Sequence, residues 1–175
     1  MKVDFIIAGA GIIGMTTALA LCRSGKKVAI IEKNLEKSVK INRIYTLSEK
    51  TKLFYEEIGL WNNIQEINNL EGMSIYYRNL EKNNILSFSR KNNNNVGYIA
   101  KSKNIILALK EKLEKYKNFS LMDKCIISNM EEFENGLRIN TDTNIEIEGK
   151  YLISCEGANS AIKQDIGIKN IYDDY

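Results

Sequence analysis

The chain has 175 residues, enough for one folded domain with its own core, and its net charge is only +3. That charge is too small to indicate a nucleic-acid-binding protein, and 44% hydrophobic and 27% charged residues are ordinary for a globular domain. The absence of histidine removes the commonest general base and the commonest metal ligand. The three cysteines are far apart, which indicates no disulfide framework or zinc site and favours buried thiols in a reducing cytoplasm.

The N-terminal segment predicts a strand, a helix and a second strand in succession. Residues 3–8 are an apolar run of the kind buried on both faces of a parallel sheet, and residues 27–31 are a second, β-branched run. Ile12–Arg23 has helical spacing, and Gly25 lies just beyond its end. Two strands joined by one helix in so short a segment indicate a right-handed crossover and a parallel sheet.

Two further segments predict helices. Residues 48–58 have Ser48 in the N-cap position, and Gly59 follows their end. Residues 102–116 place apolar side chains on one helical face. No internal repeat or linker is found, so a single domain over residues 1–175 is expected.

Apolar runs separated by polar turns predict the remaining strands. A first group lies between the two helices and consists of residues 70–77, 85–88 and 96–99, with the asparagine run 92–95 as a turn. A second group follows the second helix and consists of residues 120–122, 125–133, 137–141, 144–147 and 151–155. Asn135-Gly136 is a strong hairpin signal within the second group.

A glycine-rich loop lies between the first strand and the first helix. Gly9, Gly11 and Gly14 form the pattern G-x-G-x-x-G, in which the first permits a tight turn, the second lets a pyrophosphate approach the backbone and the third lets the helix pack closely. The helix N-terminus would present free N–H groups to the phosphates. The predicted phosphate-binding loop consists of Gly9, Ala10, Gly11, Ile12, Ile13 and Gly14.

Glu32 closes the second strand, with Lys33 beside it. A carboxylate at this position can accept hydrogen bonds from an adenosine ribose, and it would repel a 2′-phosphate, so NADP should not be preferred. Strand, helix, second strand and acid together favour a dinucleotide site over a βαβ unit with incidental glycines. The spacing alone leaves FAD and NAD open.

Longer patterns resemble known flavoproteins. The stretch from Gly9 to Glu32 reads GxGxxGxxxAxxLxxxGxxVxxxE, which resembles the FAD-binding signature of flavoprotein oxidases and hydroxylases. EGANSAIK, residues 156–163, resembles the D-G-A-N-S-x-V-R motif of aromatic-ring flavoprotein monooxygenases of the p-hydroxybenzoate hydroxylase fold. NRIYTLSEKTKLFYEEIGLWNNI and GYIAKSKNIILALKEKL resemble segments of one branch, the ubiquinone-biosynthesis hydroxylases. The resemblance covers nearly all of residues 3–168.

The resemblance implies roles for individual residues. The loop glycines and Glu32 would hold the AMP half of FAD, and Arg43 would meet its phosphates, since a guanidinium can make paired bonds to phosphate. Glu156, Gly157 and Ser160 would lie near the pyrophosphate and the nicotinamide path. The alternative for these three residues is a loop-to-helix connection capped by Ser160.

Several departures from the family pattern are visible. Glu156 stands where the family has Asp. Lys163 stands where the family has Arg, and a lysine cannot make the paired hydrogen bonds of a guanidinium. Lys101-Ser102 replaces a usual Glu-Asn pair. The family also needs a much longer chain, whose second half carries a motif that holds the flavin ring. The fold class expected is therefore α/β, a Rossmann-like FAD-binding unit with inserted β-rich segments, truncated relative to the full hydroxylase fold.

The activity implied by the resemblance is monooxygenation of a polyprenyl phenol in ubiquinone biosynthesis, with FAD as cofactor and NAD(P)H as co-substrate. No residue resembles an acid–base catalyst, and the isolated chain is expected not to hydroxylate. The alternatives are a nucleotide-binding module that works with a separately encoded C-terminal half or with other ubiquinone-biosynthesis proteins, and an inactive remnant. A general FAD reductase is disfavoured by the absence of a CxxC pair. A cytoplasmic location is expected, with at most a peripheral contact at the inner membrane.

Overall fold

The structure, a computed structural model, describes residues 1–40, 43–76, 84–89, 95–158 and 160–168. In chain order the strands are β1 (Lys2–Ala8), β2 (Val28–Glu32), β3 (Ile44–Leu47), β4 (Asn68–Leu70), β5 (Gly72–Tyr76), β6 (Asn84–Ser89), β7 (Gly97–Lys101), β8 (Phe119–Asp123), β9 (Ile127–Phe133), β10 (Gly136–Thr141) and β11 (Glu146–Ser154). The helices are α1 (Ile12–Arg23), α2 (Leu35–Lys40), α3 (Glu49–Glu57), α4 (Ser102–Leu113) and α5 (Ala161–Asp165). The chain divides into two units: the first consists of Met1–Lys40 and Leu109–Tyr175, and the second consists of Ile41–Ala108.

The first unit is built on a six-stranded sheet in the order β8-β2-β1-β11-β10-β9. Strands β8, β2, β1 and β11 pair in parallel in that order, whereas β10 pairs antiparallel with both β11 and β9. An apolar cluster of this sheet includes Ile6, Ala29, Ile139 and Ile147, which are fully buried. The α/β class is confirmed, and the carboxyl ends of four parallel strands share one edge of the sheet.

The strand–helix–strand prediction at the N-terminus is confirmed, and α1 has the predicted bounds. The division of residues 144–155 into two strands is wrong, because one continuous strand, β11, runs through Gly149. Gly149 pairs with Val3 on one side and with Leu137 on the other. The Ile6 side chain packs over Gly149, since a Cβ on Gly149 would lie only 2.7 Å from Ile6 Cγ1. The strand therefore continues through the glycine.

The second unit contains a three-stranded antiparallel sheet, β3-β7-β4, and a separate two-stranded hairpin, β5-β6. The predicted strand over residues 70–77 is wrong as one element, because the chain changes partner at Glu71: β4 pairs with β7, whereas β5 pairs with β6. The prediction of Ser48 as an N-cap is confirmed, since its side chain accepts a hydrogen bond from the Thr51 N–H. Most of the asparagine run, residues 92–94, lies outside the described residues.

All three cysteines are free thiols. Cys22 and Cys125 are buried, as predicted, and Cys155 is partly buried. Burial raises the pKa of Cys22 to about 11, so its thiol stays protonated at neutral pH and packs as an apolar side chain. Within the described part of the chain, no helix combines the length and the apolar character needed to cross a bilayer.

An ion-pair cluster on the first unit's sheet surrounds Glu148. Its carboxylate lies 2.8 Å from Lys2 Nζ and 2.7 Å from Arg138 Nη2. The hydrogen bond from Lys2, followed by that from Arg138, lowers the pKa of Glu148 from 4.5 to about 2. Because the folded-state pKa is depressed, the stabilisation is fully present above the unfolded-state pKa and is lost as the pH falls through the folded-state pKa.

We therefore expect the wild-type chain to lose stability as the pH is lowered from 4.5 to about 2, and Glu148→Gln to lose less over the same interval. Urea unfolding midpoints measured at several pH values would test this. Lys2→Gln is the matched control, since it removes the larger cause and should weaken the pH dependence only in part. A Glu148→Gln variant with the wild-type pH dependence would contradict the assignment.

Candidate functional site

The loop after β1 makes a tight turn at Gly9. Its N–H donates to the Ile31 carbonyl oxygen over 2.8 Å, which ties the loop to the end of β2. Gly9 has φ +104°, a conformation that side chains with a Cβ rarely adopt, and a Cβ there would lie 2.6 Å from the Cys155 carbonyl oxygen. The turn therefore needs a glycine for both its conformation and its close contact with the segment after β11.

Gly11 and Gly14 lack side chains for different reasons. A Cβ on Gly14 would overlap the Gly9 carbonyl oxygen, so the packing of α1 against the loop requires glycine. A Cβ on Gly11 would meet no protein atom within 4 Å. Gly11 is also the N-cap of α1 and supplies no side-chain cap. Packing therefore explains Gly14, whereas Gly11 leaves open space beside the first turn of α1.

The other residues of the predicted loop differ in exposure. Ala10 is fully buried, Ile12 is partly buried, and Ile13 is 69% exposed. Ile13 is therefore an apolar side chain on the outside of the first turn of α1. The loop is thus anchored through Ala10, while the Ile13 side chain of the first helical turn remains exposed.

Glu32 connects the two loops that follow β1 and β2. Its Oε2 accepts a hydrogen bond of 2.6 Å from the Ala10 N–H, and its Oε1 accepts one of 2.8 Å from the Asn34 N–H. A carboxylate has about four acceptor positions, so two such bonds leave capacity for further donors. The carboxylate is therefore held in place by backbone and can still accept from a ligand.

A cleft of about 500 Å³ opens beside Glu32, at the carboxyl ends of β1, β2 and β8. Its lining brings together four of the residues predicted from sequence: Gly9, Glu32, Lys33 and Glu156. Lys37 and the apolar segment 125–127 also line the cleft. The volume and the mixture of apolar walls with a few polar groups are typical of small-molecule sites.

The segment 125–127 was missed by the sequence reasoning. No residue in it carries a motif, but the strand order β8-β2-β1 places the connection after β8 next to Glu32. Ligands of open α/β sheets bind outside the carboxyl ends of the parallel strands. Had the strand order been known, that rule would have identified this segment.

Glu156 and Ser160 form a hydrogen-bonded cap at the start of α5. The Ser160 hydroxyl donates to Glu156 Oε2 over 2.6 Å, and the same oxygen accepts from the Ile162 N–H over 3.2 Å. Ser160 Oγ accepts from the Lys163 N–H over 3.1 Å. The capping role that the sequence left as an alternative is thus present, and Glu156 also lines the cleft. A role for these residues at a pyrophosphate stays a prediction.

Two further predicted residues, Gly157 and Arg43, are not among the described residues that line the cleft. Gly157 is exposed with φ +84°, and a Cβ there would meet no atom within 4 Å. Arg43 belongs to the second unit, where its N–H donates to Ser102 Oγ over 3.1 Å and its side chain is exposed. The roles of Gly157 and Arg43 toward a ligand stay predictions.

Comparison with known proteins identifies the family. The family model described as the FAD binding domain matches residues 2–174. The chain belongs to the FAD binding domain family. The Glu32 cleft and the Gly9–Gly14 loop of this FAD binding domain therefore lie in a chain for which FAD is the expected ligand.

Solved structures show the fold shared by this FAD binding domain. PqsL from Pseudomonas aeruginosa, in complex with 2-aminobenzoylacetate, is 16% identical with a TM-score of 0.83, and the match covers 100% of this chain and 48% of PqsL. The flavin-dependent monooxygenase PieE, in complex with FAD and substrate, is 17% identical with a TM-score of 0.79, over 97% of this chain and 32% of PieE. The p-nitrophenol 4-monooxygenase PnpA from Pseudomonas putida is 16% identical with a TM-score of 0.76, over 95% and 44%.

These matches show that the FAD binding domain has the fold of flavin-dependent monooxygenases. The chain spans about half the length of PqsL and less of the other two. The identities are low, so the likeness concerns the fold.

Proposed function

We propose that the chain binds FAD, with the pyrophosphate at the start of α1 and the adenosine in the cleft at Glu32. The observation that carries the proposal is the open space at Gly11, beside a helix of 12 residues whose N-cap has no side-chain hydrogen bond. The first turn of a helix has N–H groups without partners inside the helix, and a phosphate can accept from them. Because Gly11 has no Cβ, the phosphate can reach these groups.

The cleft fits the adenosine half of the cofactor. The Glu32 carboxylate is held before any ligand arrives, because both of its oxygens accept from backbone N–H groups. It can then accept from the ribose hydroxyls with little loss of side-chain freedom on binding. The segment 125–127 offers an apolar wall of the kind on which a purine can pack, and Lys33 and Lys37 lie at the same cleft.

The proposed reaction is an FAD-dependent monooxygenation, for which the bound cofactor would supply the redox chemistry. The shared fold supports this, as PieE and PnpA are monooxygenases. We further propose NAD(P)H as the co-substrate and a polyprenyl phenol of ubiquinone biosynthesis as the substrate. Both of these proposals rest on the sequence resemblance. The two segments that resemble the ubiquinone branch contain β3 and β7, which pair in one sheet with Leu47 opposite Tyr98. Any membrane contact of such an enzyme would be peripheral.

A second candidate function is an FAD-binding module that works with a further polypeptide. The exposed apolar face of the hairpin β5-β6 favours it. Met73 lies opposite Phe88 and Ile75 opposite Leu86, and these four side chains are 41–46% exposed on one face of the hairpin. Two-stranded hairpins are marginally stable alone, so a covering polypeptide would stabilise this face. That partner would be a C-terminal half encoded separately or further along the same chain.

A titration with FAD and FMN, followed by flavin fluorescence, tests the proposed function. We expect FAD to bind at least about tenfold more tightly than FMN, because only FAD carries the adenosine that the cleft would grip. ADP should compete with FAD. Equal affinity for FAD and FMN would show that the adenosine is not recognised. Binding of neither, by a chain shown to be folded by circular dichroism, would favour the inactive remnant.

A further inference from the structure

The turn that follows Glu32 is held by a carboxylate from the neighbouring strand β8. Asp123 ends β8 and lies in register with Glu32, which ends β2. Asp123 Oδ1 accepts a hydrogen bond of 2.9 Å from the Leu35 N–H and another of 2.9 Å from the Lys124 N–H. The carboxylate of one strand end therefore fixes the backbone that leaves the other strand end.

The Leu35 N–H begins a short chain of contacts that leads to the Glu32 carboxylate. Leu35 is the first residue of α2, where an N–H has no partner inside the helix, and its side chain is buried. Asn34 precedes it and accepts a hydrogen bond of 2.8 Å from the Lys37 N–H. The Asn34 N–H in turn donates to Glu32 Oε1. The position of Asn34, and with it one of the two bonds to the carboxylate, thus depends on how Leu35 is held.

We propose that Asp123 is a positioning residue for Glu32, and so for recognition of the adenosine. The inference rests on the proposed function. Asp123 is not among the described residues that line the cleft, so its effect on a ligand would pass through the turn. Without its carboxylate the Leu35 N–H loses its partner and the turn gains conformational freedom. Binding FAD would then cost the ordering of the turn as well as that of the ligand.

The first test compares two substitutions at this position by FAD titration. Asp123→Ala removes the acceptor, and we expect FAD to bind about fivefold more weakly. Asp123→Asn keeps an oxygen that can accept from the Leu35 N–H, and we expect its FAD affinity to stay within about twofold of wild type. An unchanged affinity in Asp123→Ala would overturn the proposal, and so would an Asp123→Asn variant as weak as Asp123→Ala.

The second test asks whether Asp123 acts through Glu32. The FAD affinities of wild type, Asp123→Ala, Glu32→Ala and the double variant form a double-mutant cycle. We expect Asp123→Ala to weaken binding by less than about twofold when Glu32 is already alanine, because no carboxylate is left to position. If Asp123→Ala weakens FAD binding equally with Glu32 present and with Glu32→Ala, Asp123 has a merely structural role and the proposal is overturned. Thermal unfolding of each variant provides the folding control.

A replacement variant and two controls distinguish failure of the role of Asp123 from failure of the proposed adenosine site. Should Asp123→Ala fail to fold, Asp123→Glu replaces it in the cycle, because it keeps the charge but displaces the acceptor from the Leu35 N–H. If wild type does not bind FAD, or if Glu32→Ala binds as wild type does, the proposed adenosine site itself fails. If both of those controls behave as expected but the cycle is additive, only the role of Asp123 is overturned.

Discussion

Gly14→Ala is expected to destabilise the folded chain by about 3 kcal/mol, a large fraction of the roughly 5–15 kcal/mol by which a typical domain is stable. The added Cβ would overlap the Gly9 carbonyl oxygen, a backbone atom that cannot move away without changing the loop. Glycine in a helix interior is ordinarily less stable than alanine by up to about 1 kcal/mol, so the expected sign is the opposite of the usual one. Urea unfolding followed by circular dichroism would measure the loss.

Gly11→Ala is the matched control for that variant. Its Cβ would meet no protein atom within 4 Å, and its φ of −70° suits any residue, so stability should change by less than about 1 kcal/mol. FAD binding should nevertheless weaken by about tenfold or more, because the Cβ would occupy the space proposed for the pyrophosphate. Equal stability of Gly11→Ala and Gly14→Ala would contradict the packing argument.

Glu32→Ala is expected to weaken FAD binding by roughly 1–3 kcal/mol, the scale of hydrogen bonds to a charged group. This corresponds to a loss of about 5- to 150-fold in affinity. The carboxylate would no longer accept from the ribose, and the Ala10 N–H would lose its partner. A flavin fluorescence titration measures the loss, and ADP competition should weaken in parallel because the effect concerns the adenosine.

Glu36→Gln is the control for Glu32→Ala. Glu36 lies on α2, four residues away, and its exposed side chain pairs with Lys40 on the same helix. Removing its charge should leave FAD affinity within about twofold, as expected for an exposed residue outside the cleft. An unchanged affinity in Glu32→Ala would remove Glu32 from the site, and an equal loss in both variants would indicate a general charge effect.

The most reliable inferences from sequence concerned features encoded by neighbouring residues. The β1-α1-β2 unit follows from periodicity and glycine placement, and the Ser48 cap follows from a side chain close to the N–H that it binds. Resemblance over longer segments led to an FAD-binding fold, which the family match over residues 2–174 confirms. The ubiquinone branch and the roles of Arg43 and Gly157 remain predictions.

The largest differences from expectation arose where the chain pairs with distant segments. A glycine usually weakens a strand, but β11 continues through Gly149 because Ile6 packs over it. One run became β4 and β5 because each half found a different partner strand. Such outcomes depend on which strands become neighbours, and periodicity within one strand does not specify its neighbour.

The sequence by itself determined the glycine-rich loop and the acidic residue at the end of β2, because each depends on residue types at fixed short spacing, and it led to the family through longer patterns. Only the tertiary structure decided how Glu32 is held and what surrounds it. The order β8-β2-β1 brings Asp123 and the segment 125–127 to the edge where Glu32 lies, although they are distant from it in sequence. The physical reason is that parallel strands joined by crossovers place their carboxyl ends together whatever the distance along the chain.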